Sequence, residues 1–126
     1  AISDELGFAH EHSLIENWND LDLIEHLRQL IILENIEGIV VGLPLNMSGV
    51  DTEKTQEVRD FAAMLENCLD KEVIFEDERW TTKMVEKTLK EMKIKGSKAK
   101  QRRDMLAAKY ILQGYLDRQK EYQIID

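Results

Sequence analysis

Asp77 and Glu78 stand side by side in the stretch FEDERWTT, with Arg79 next to them and threonines at positions 81 and 82. Adjacent carboxylates repel, so the pair is either solvated surface bridged by Arg79 or part of a site that needs concentrated negative charge. A third acid, Asp104, follows in RRDMLAAKY. Asp77, Glu78 and Asp104 would together supply the hard oxygen ligands that Mg²⁺ and Mn²⁺ prefer. A divalent cation held this way can activate water and stabilise the leaving oxygen of a phosphodiester. Taken alone, Asp104 also reads as an acid that stabilises the first turn of its helix.

Chemistry on phosphodiesters also needs a place that holds phosphate. Lys93, Lys95, Lys98, Lys100, Arg102 and Arg103 put six cations into eleven residues, immediately before Asp104. The chain as a whole carries a net charge of −8 over 126 residues. Such a balance repels nucleic acid and anionic membranes, so any nucleic-acid contact must be local to this patch. Contacts of that kind are sequence-independent and salt-sensitive. The alternative is a solvated loop that also caps a nearby helix C-terminus.

Other residues offer less. His10 and His12 flank Glu11 and would share one strand face, but no further Cys or His accompanies them, which favours exposed strand over a zinc site. Cys68 is the single cysteine, so no internal disulfide can form and a reducing compartment follows. It reads as buried filler or an inert thiol. Trp80 either stacks on a base or anchors the strand–helix corner. No Ser/His/Asp arrangement and no glycine-rich phosphate loop is present.

The elements that must position these residues follow from hydrophobic spacing. With 43% hydrophobic residues, no repeat and no linker, the chain predicts one domain over residues 1–126. No apolar run nears the ~20 residues of a membrane span. Short extended pieces should surround a turn at residues 5–7, and Asp20 should cap a helix running to about residue 35. GIVVGL reads as a strand buried on both faces, ended by Pro44, with Gly49 allowing a turn. A helix from 51 or 52 to 69, a strand at 72–75 and a helix from 81 or 82 to about 92 come next. After a basic loop containing Gly96, a last helix covers roughly 101–118 with Asp104 at the head of a sheet-facing stripe that continues through Ala108, Ile111 and Tyr115. Alternating strands and helices imply parallel pairing through right-handed crossovers. In such α/β sheets sites gather beyond the carboxyl ends of strands, which is where PLNMSG and DERWTT fall.

VVGLPLNMSG, FEDERWTT and RRDMLAAKYILQGYLD, in this order and spacing, resemble the YqgF/RuvX family of RNase H-like nucleases, and the resemblance covers essentially the whole chain. It implies an RNase H-like mixed α/β sheet, with an antiparallel opening hairpin, a parallel βαβ and helices on both faces. It also implies a bacterial cytoplasmic nuclease that uses Mg²⁺ or Mn²⁺ and matures the 5′ end of precursor 16S ribosomal RNA. Carried over by position, Glu78 and Asp104 are metal ligands, with Asp77 beside them as a further catalytic acid. Asn46, Gly49, Arg79, Thr81 and Thr82 match substrate-contact positions, to which the basic residues Lys98, Lys100, Arg102 and Arg103 are added. Two alternatives stay open: resolution of branched DNA junctions, and a non-catalytic nucleic-acid-binding module in ribosome assembly or transcription. No membrane partner is expected, and the chain should be a monomer or a weak homodimer. The family's first strand carries an Asp-x-Gly motif that does not occur here. The expectation is therefore that a strand precedes Ala1, and that a form starting at Ala1 has weak activity or none.

Overall fold

The computed structural model describes residues 1–4, 7–10, 19–79 and 81–125, with side chains as far as residue 119. Part of the turn expected at 5–7, together with His12 and Trp80, lies outside the described residues. The chain divides into two compact units, Ile15–Phe75 and Ala1–Leu14 with Glu76–Asp126.

The first unit is a strand–helix–strand built around α1 (Asp20–Leu33), β3 (Gly38–Leu43), α2 (Glu53–Leu69) and the opening of β4 (Glu72–Asp77), which follow the hairpin strands β1 (Ile2–Ser3) and β2 (Ala9–His10) in chain order. The cap of α1 is Asn19 rather than Asp20: its side chain accepts from the Asp22 backbone N–H, so Asp20 becomes the first helical residue. Thr52 caps α2, and Thr55 reaches back to the Thr52 N–H to complete a reciprocal capping box. Asp70 ends the helix in the left-handed conformation at φ 52°. Ile24, Leu65 and Leu69 form the buried centre, against which Leu27, Ile31, Ile39, Phe61 and Val73 pack. This is the periodic face expected of α2.

β3 pairs with β4 as a two-stranded parallel sheet. A Cβ on Gly38, the first residue of β3, would lie 3.6 Å from the carbonyl oxygen of Glu72, the first residue of β4. Start beside start is what parallel pairing through the α2 crossover requires. β3 has the expected bounds but not the expected burial. Only Leu43 is buried, and the residues before it are half-buried or, at Gly38, exposed. Among the described residues β4 is the one strand beside it, too little structure to cover both faces of GIVVGL.

In the second unit β1 and β2 pair antiparallel, with Ile2 opposite His10 and Ser3 opposite Ala9. The hairpin is fastened to α4 (Ser97–Ile125) by Gln113, whose side-chain oxygen accepts from the Ala9 N–H at 2.8 Å and whose amide donates to the Gly7 carbonyl at 3.2 Å. α3 (Thr81–Glu91) folds back on α4 through a turn that puts Lys93 at φ 57° and Gly96 at φ 75°. Val85, Leu89 and Leu106 are its buried centre, with Ile94, Ala107 and Tyr110 against them. Tyr110 and Thr88 share a hydroxyl–hydroxyl hydrogen bond of 2.6 Å.

Two expectations about the last helix change. α4 begins at Ser97, so Lys98 and Lys100 lie on helix rather than on a loop, and they join Arg102 and Arg103 there. Its buried face is also rotated from the one expected. Leu106 is buried against Val85 and Leu89 of α3, and Ala99 is buried as well, whereas Asp104 and Ala108 are exposed.

Candidate active site

β4 continues two residues past the apolar run that ends at Phe75, and this brings the acidic motif onto the strand itself. Glu76 is buried at 6% exposure, Asp77 is exposed, and Glu78 follows the strand half-buried. Asp77 is heavily engaged. One carboxylate oxygen takes the Arg79 guanidinium at 2.7 Å, and the other accepts from the Arg79 backbone N–H at 3.0 Å. The chain therefore folds over at Asp77, and the Thr81 N–H donates to the Glu78 carbonyl at 3.1 Å as α3 begins. This is the surface turn that the pairing of Arg79 with the acids allowed. Thr81 is half-buried and Thr82 exposed.

Sequence reasoning missed Glu76. Its carboxylate forms an ion pair with Arg118, and a Cβ on Gly114 would come within 3.4 Å of its Oε1. Glu76 and Gly114 border a cleft of about 230 Å³ between the end of β4, the start of α3 and the middle of α4. Asp77, Thr81, Gln113 and Asp117 line it as well, whereas Glu78 and Asp104 are not among its lining residues. The available signal was a small residue and a cation one helical turn apart, Gly114 and Arg118, on a helix bound to pack near the strand.

Asp104 lies past the first turn of α4, beyond the reach of most of the helix dipole. Its neighbour Arg103 donates through Nε to Glu86 of α3 at 2.6 Å, with a longer second contact of 3.5 Å. The guanidinium beside it holds the Glu86 carboxyl below its ordinary range, and Glu86 in turn raises Arg103. Lys98 and Lys100 are exposed and Arg102 half-buried. The first turn of α4 contains no acid. Cations there oppose the dipole, a local cost that an approaching phosphate would relieve.

Asn46 and Gly49, in the other unit, belong to one closed loop. The Asn46 side-chain oxygen accepts from the Ser48 and Val50 N–H groups at 3.0 and 2.9 Å. The Gly49 N–H donates to the Asn46 carbonyl at 2.9 Å, with Gly49 at φ 80°. Behind the loop, the fully buried Thr55 donates its hydroxyl to the Pro44 carbonyl. Thr55 was not singled out from sequence, because a threonine at that place reads as ordinary capping.

Among the described residues, no three His, Cys, Asp or Glu side chains converge as a metal site. Asp77 already has its charge met by Arg79. Among the described residues, a preformed cage of three carboxylates is thus not built. His10 is exposed and pairs with Asp4 at 2.6 Å. Cys68, expected buried or inert, is a free thiol on the exposed side of α2, where the helix turns away from the Ile24–Leu65 core. Among the described residues, no helix is long and apolar enough to cross a membrane.

The hairpin, the parallel strand–helix–strand and the four helices define an α/β protein of RNase H-like fold. Residues 1–118 match the family model described as RuvX, Holliday junction resolvase, and the chain belongs to that family. It is similar to three curated proteins that each bear the name "Putative pre-16S rRNA nuclease". The one from Zymomonas mobilis is 44% identical over 97 residues, 77% of this chain, and the chain spans 58% of that relative's length. The one from Clostridium botulinum is 40% identical over 94% of this chain and 87% of its own. The third, from Sulfurihydrogenibium, is 42% identical over 94% and 81% respectively.

Proposed function

We propose that this protein is a hydrolase that cleaves phosphodiester bonds of structured RNA in the maturation of pre-16S rRNA. The observation that carries the reading is the family match over residues 1–118, which spans FEDERWTT and RRDMLAAKYILQGYLD together. In this reading Glu78 and Asp104 are the ligands of Mg²⁺ or Mn²⁺. Two carboxylates are within what Mg²⁺ accepts, since it retains waters and takes substrate phosphate oxygens as further ligands. The cations opening α4 hold the backbone, and Asn46 and Gly49 of the other unit are taken, from the family resemblance alone, as further substrate-contact residues. The setting proposed is the bacterial cytoplasm.

A second reading is supported by the family description itself: cleavage of branched DNA by the same chemistry. One assay separates the two. The full-length protein is offered a pre-rRNA 5′ leader and a four-way DNA junction in competition, with Mg²⁺, with Mn²⁺ and with a chelator. Preferred, metal-dependent cleavage of the RNA is expected, abolished by Glu78→Gln and by Asp104→Asn with the far-UV spectrum unchanged. Full turnover in both variants would remove the proposed site.

A further inference from the structure

Two arginines of the candidate phosphate surface already hold carboxylates, and each adjoins one of the proposed acids. Arg79 follows Glu78 and binds Asp77, whereas Arg103 precedes Asp104 and binds Glu86. The first pair is local to a turn. The second joins two helices, and nothing about the packing of Val85, Leu89 and Leu106 beneath demands it. We infer that Glu86 is an internal stand-in for substrate phosphate on Arg103, and that it sets how tightly the nucleic-acid backbone is held. The inference rests on the nucleic-acid reading above.

The geometry suits displacement. Glu86 takes Arg103 Nε at 2.6 Å, but its second oxygen lies 3.5 Å from Nη2, so the fork is closed on one prong only. A guanidinium has five N–H donors, and the others remain open for a phosphate to engage before the carboxylate departs. Both side chains are nearly half exposed, at 44% and 47%, so solvent anions reach them. Ion pairs this exposed are weak. A phosphate binding two N–H groups of the same guanidinium makes the stronger, charge-assisted contact. After displacement the Glu86 charge stays nearby and opposes the phosphate, which weakens the complex and speeds its release. For an enzyme that must let its product go, ground-state binding held in check favours turnover.

The experiment measures binding of a fluorescein-labelled RNA hairpin in metal-free buffer, where cleavage cannot interfere. The proteins compared are wild type, Glu86→Gln, Arg103→Gln, the double variant and Glu91→Gln. Glutamine at 86 can still accept from Nε, so it removes the charge while keeping the contact. Affinity should rise about two- to fivefold in Glu86→Gln, the range that the loss of one exposed ion pair returns. The gain should vanish in the Arg103→Gln background. Glu91, exposed on the same helix, reports the bare effect of one fewer negative charge, and its variant should bind as wild type does. Unchanged or weaker binding by Glu86→Gln, persistence of its gain without Arg103, or an equal gain in Glu91→Gln would each overturn the inference. Normal cleavage by wild type alongside any of these results leaves the nuclease reading standing. The expected binding pattern without metal-dependent cleavage sinks the nuclease reading instead. Absence of RNA binding by wild type in this buffer overturns the inference, while metal-dependent cleavage, measured separately, judges the nuclease reading.

Discussion

The Glu76 carboxylate and the Arg118 guanidinium form an asymmetric ion pair, the acid 7% exposed and the base 54% exposed. Desolvation therefore falls on Glu76, while Arg118 keeps most of its hydration. Arg118→Ala would leave a buried carboxylate without that partner, a change that destabilises by about 1–3 kcal/mol when water reaches the site only partly. Adding Glu76→Gln should recover most of the loss, since the uncompensated charge is then gone. Urea unfolding of the two variants measures both effects. Wild-type stability in Arg118→Ala would show that solvent in the cleft serves Glu76 as well as the arginine does.

Thr55 is fully buried, and its hydroxyl is shared between the Thr52 cap and the Pro44 carbonyl. Valine fills the same space without the donor. Thr55→Val should then cost about 1–3 kcal/mol, because a half-buried carbonyl loses its partner and the capping box opens. The loop closed by Asn46 should loosen too, seen as faster amide exchange at Gly49 and Val50. An equally stable variant with unchanged exchange would mean that the strand end is held by its backbone alone.

Much of this architecture could be read from the chain itself, and the exceptions have physical reasons. The bounds of GIVVGL and the apolar face of α2 followed from spacing, because turn residues stand outside both elements. The burial of β3 did not follow, since it depends on how many strands lie beside it. The first turn of α4 looks like loop in sequence because a run of lysines suggests solvation, although Lys and Ala are good helix formers. Spacing alone puts Asp104 on a buried stripe, because Ala108, Ile111 and Tyr115 share it. In fact α3 takes the neighbouring face, that of Leu106 and Tyr110. Glu76 escaped notice because its partner lies far along the chain, and only tertiary structure brings the two together.

The Glu86–Arg103 pair gives a pH signature. Arg103 holds the Glu86 carboxyl below its ordinary 4.5, and this shift fixes the direction of the linkage. A depressed folded-state value means that the unfolded chain binds the proton more readily. The pair's contribution is therefore complete above 4.5 and disappears as pH falls through the lowered value. The reciprocal rise at Arg103 lies far above neutrality and leaves the physiological range untouched. Carboxyl NMR should place the Glu86 midpoint under 4.5 in wild type and return it toward 4.5 in Arg103→Gln. Identical titration curves would mean that the contact does not persist in solution.

Lys98 and Lys100 open α4 at the end where the helix dipole disfavours positive charge, and both side chains face solvent. If they hold phosphates, each contributes a counterion-release step to binding. Replacing either with glutamine should lower the slope of log affinity against log salt by roughly 0.7–0.9. The loss in affinity should be alike for RNA hairpins of unrelated sequence, because phosphate contacts carry no base information. Removing these charges should also relieve the unfavourable interaction with the dipole, so stability holds or rises slightly while binding falls. That opposite movement separates a binding role from a structural one. An unchanged salt slope in both single variants would place the phosphate contacts elsewhere on the molecule.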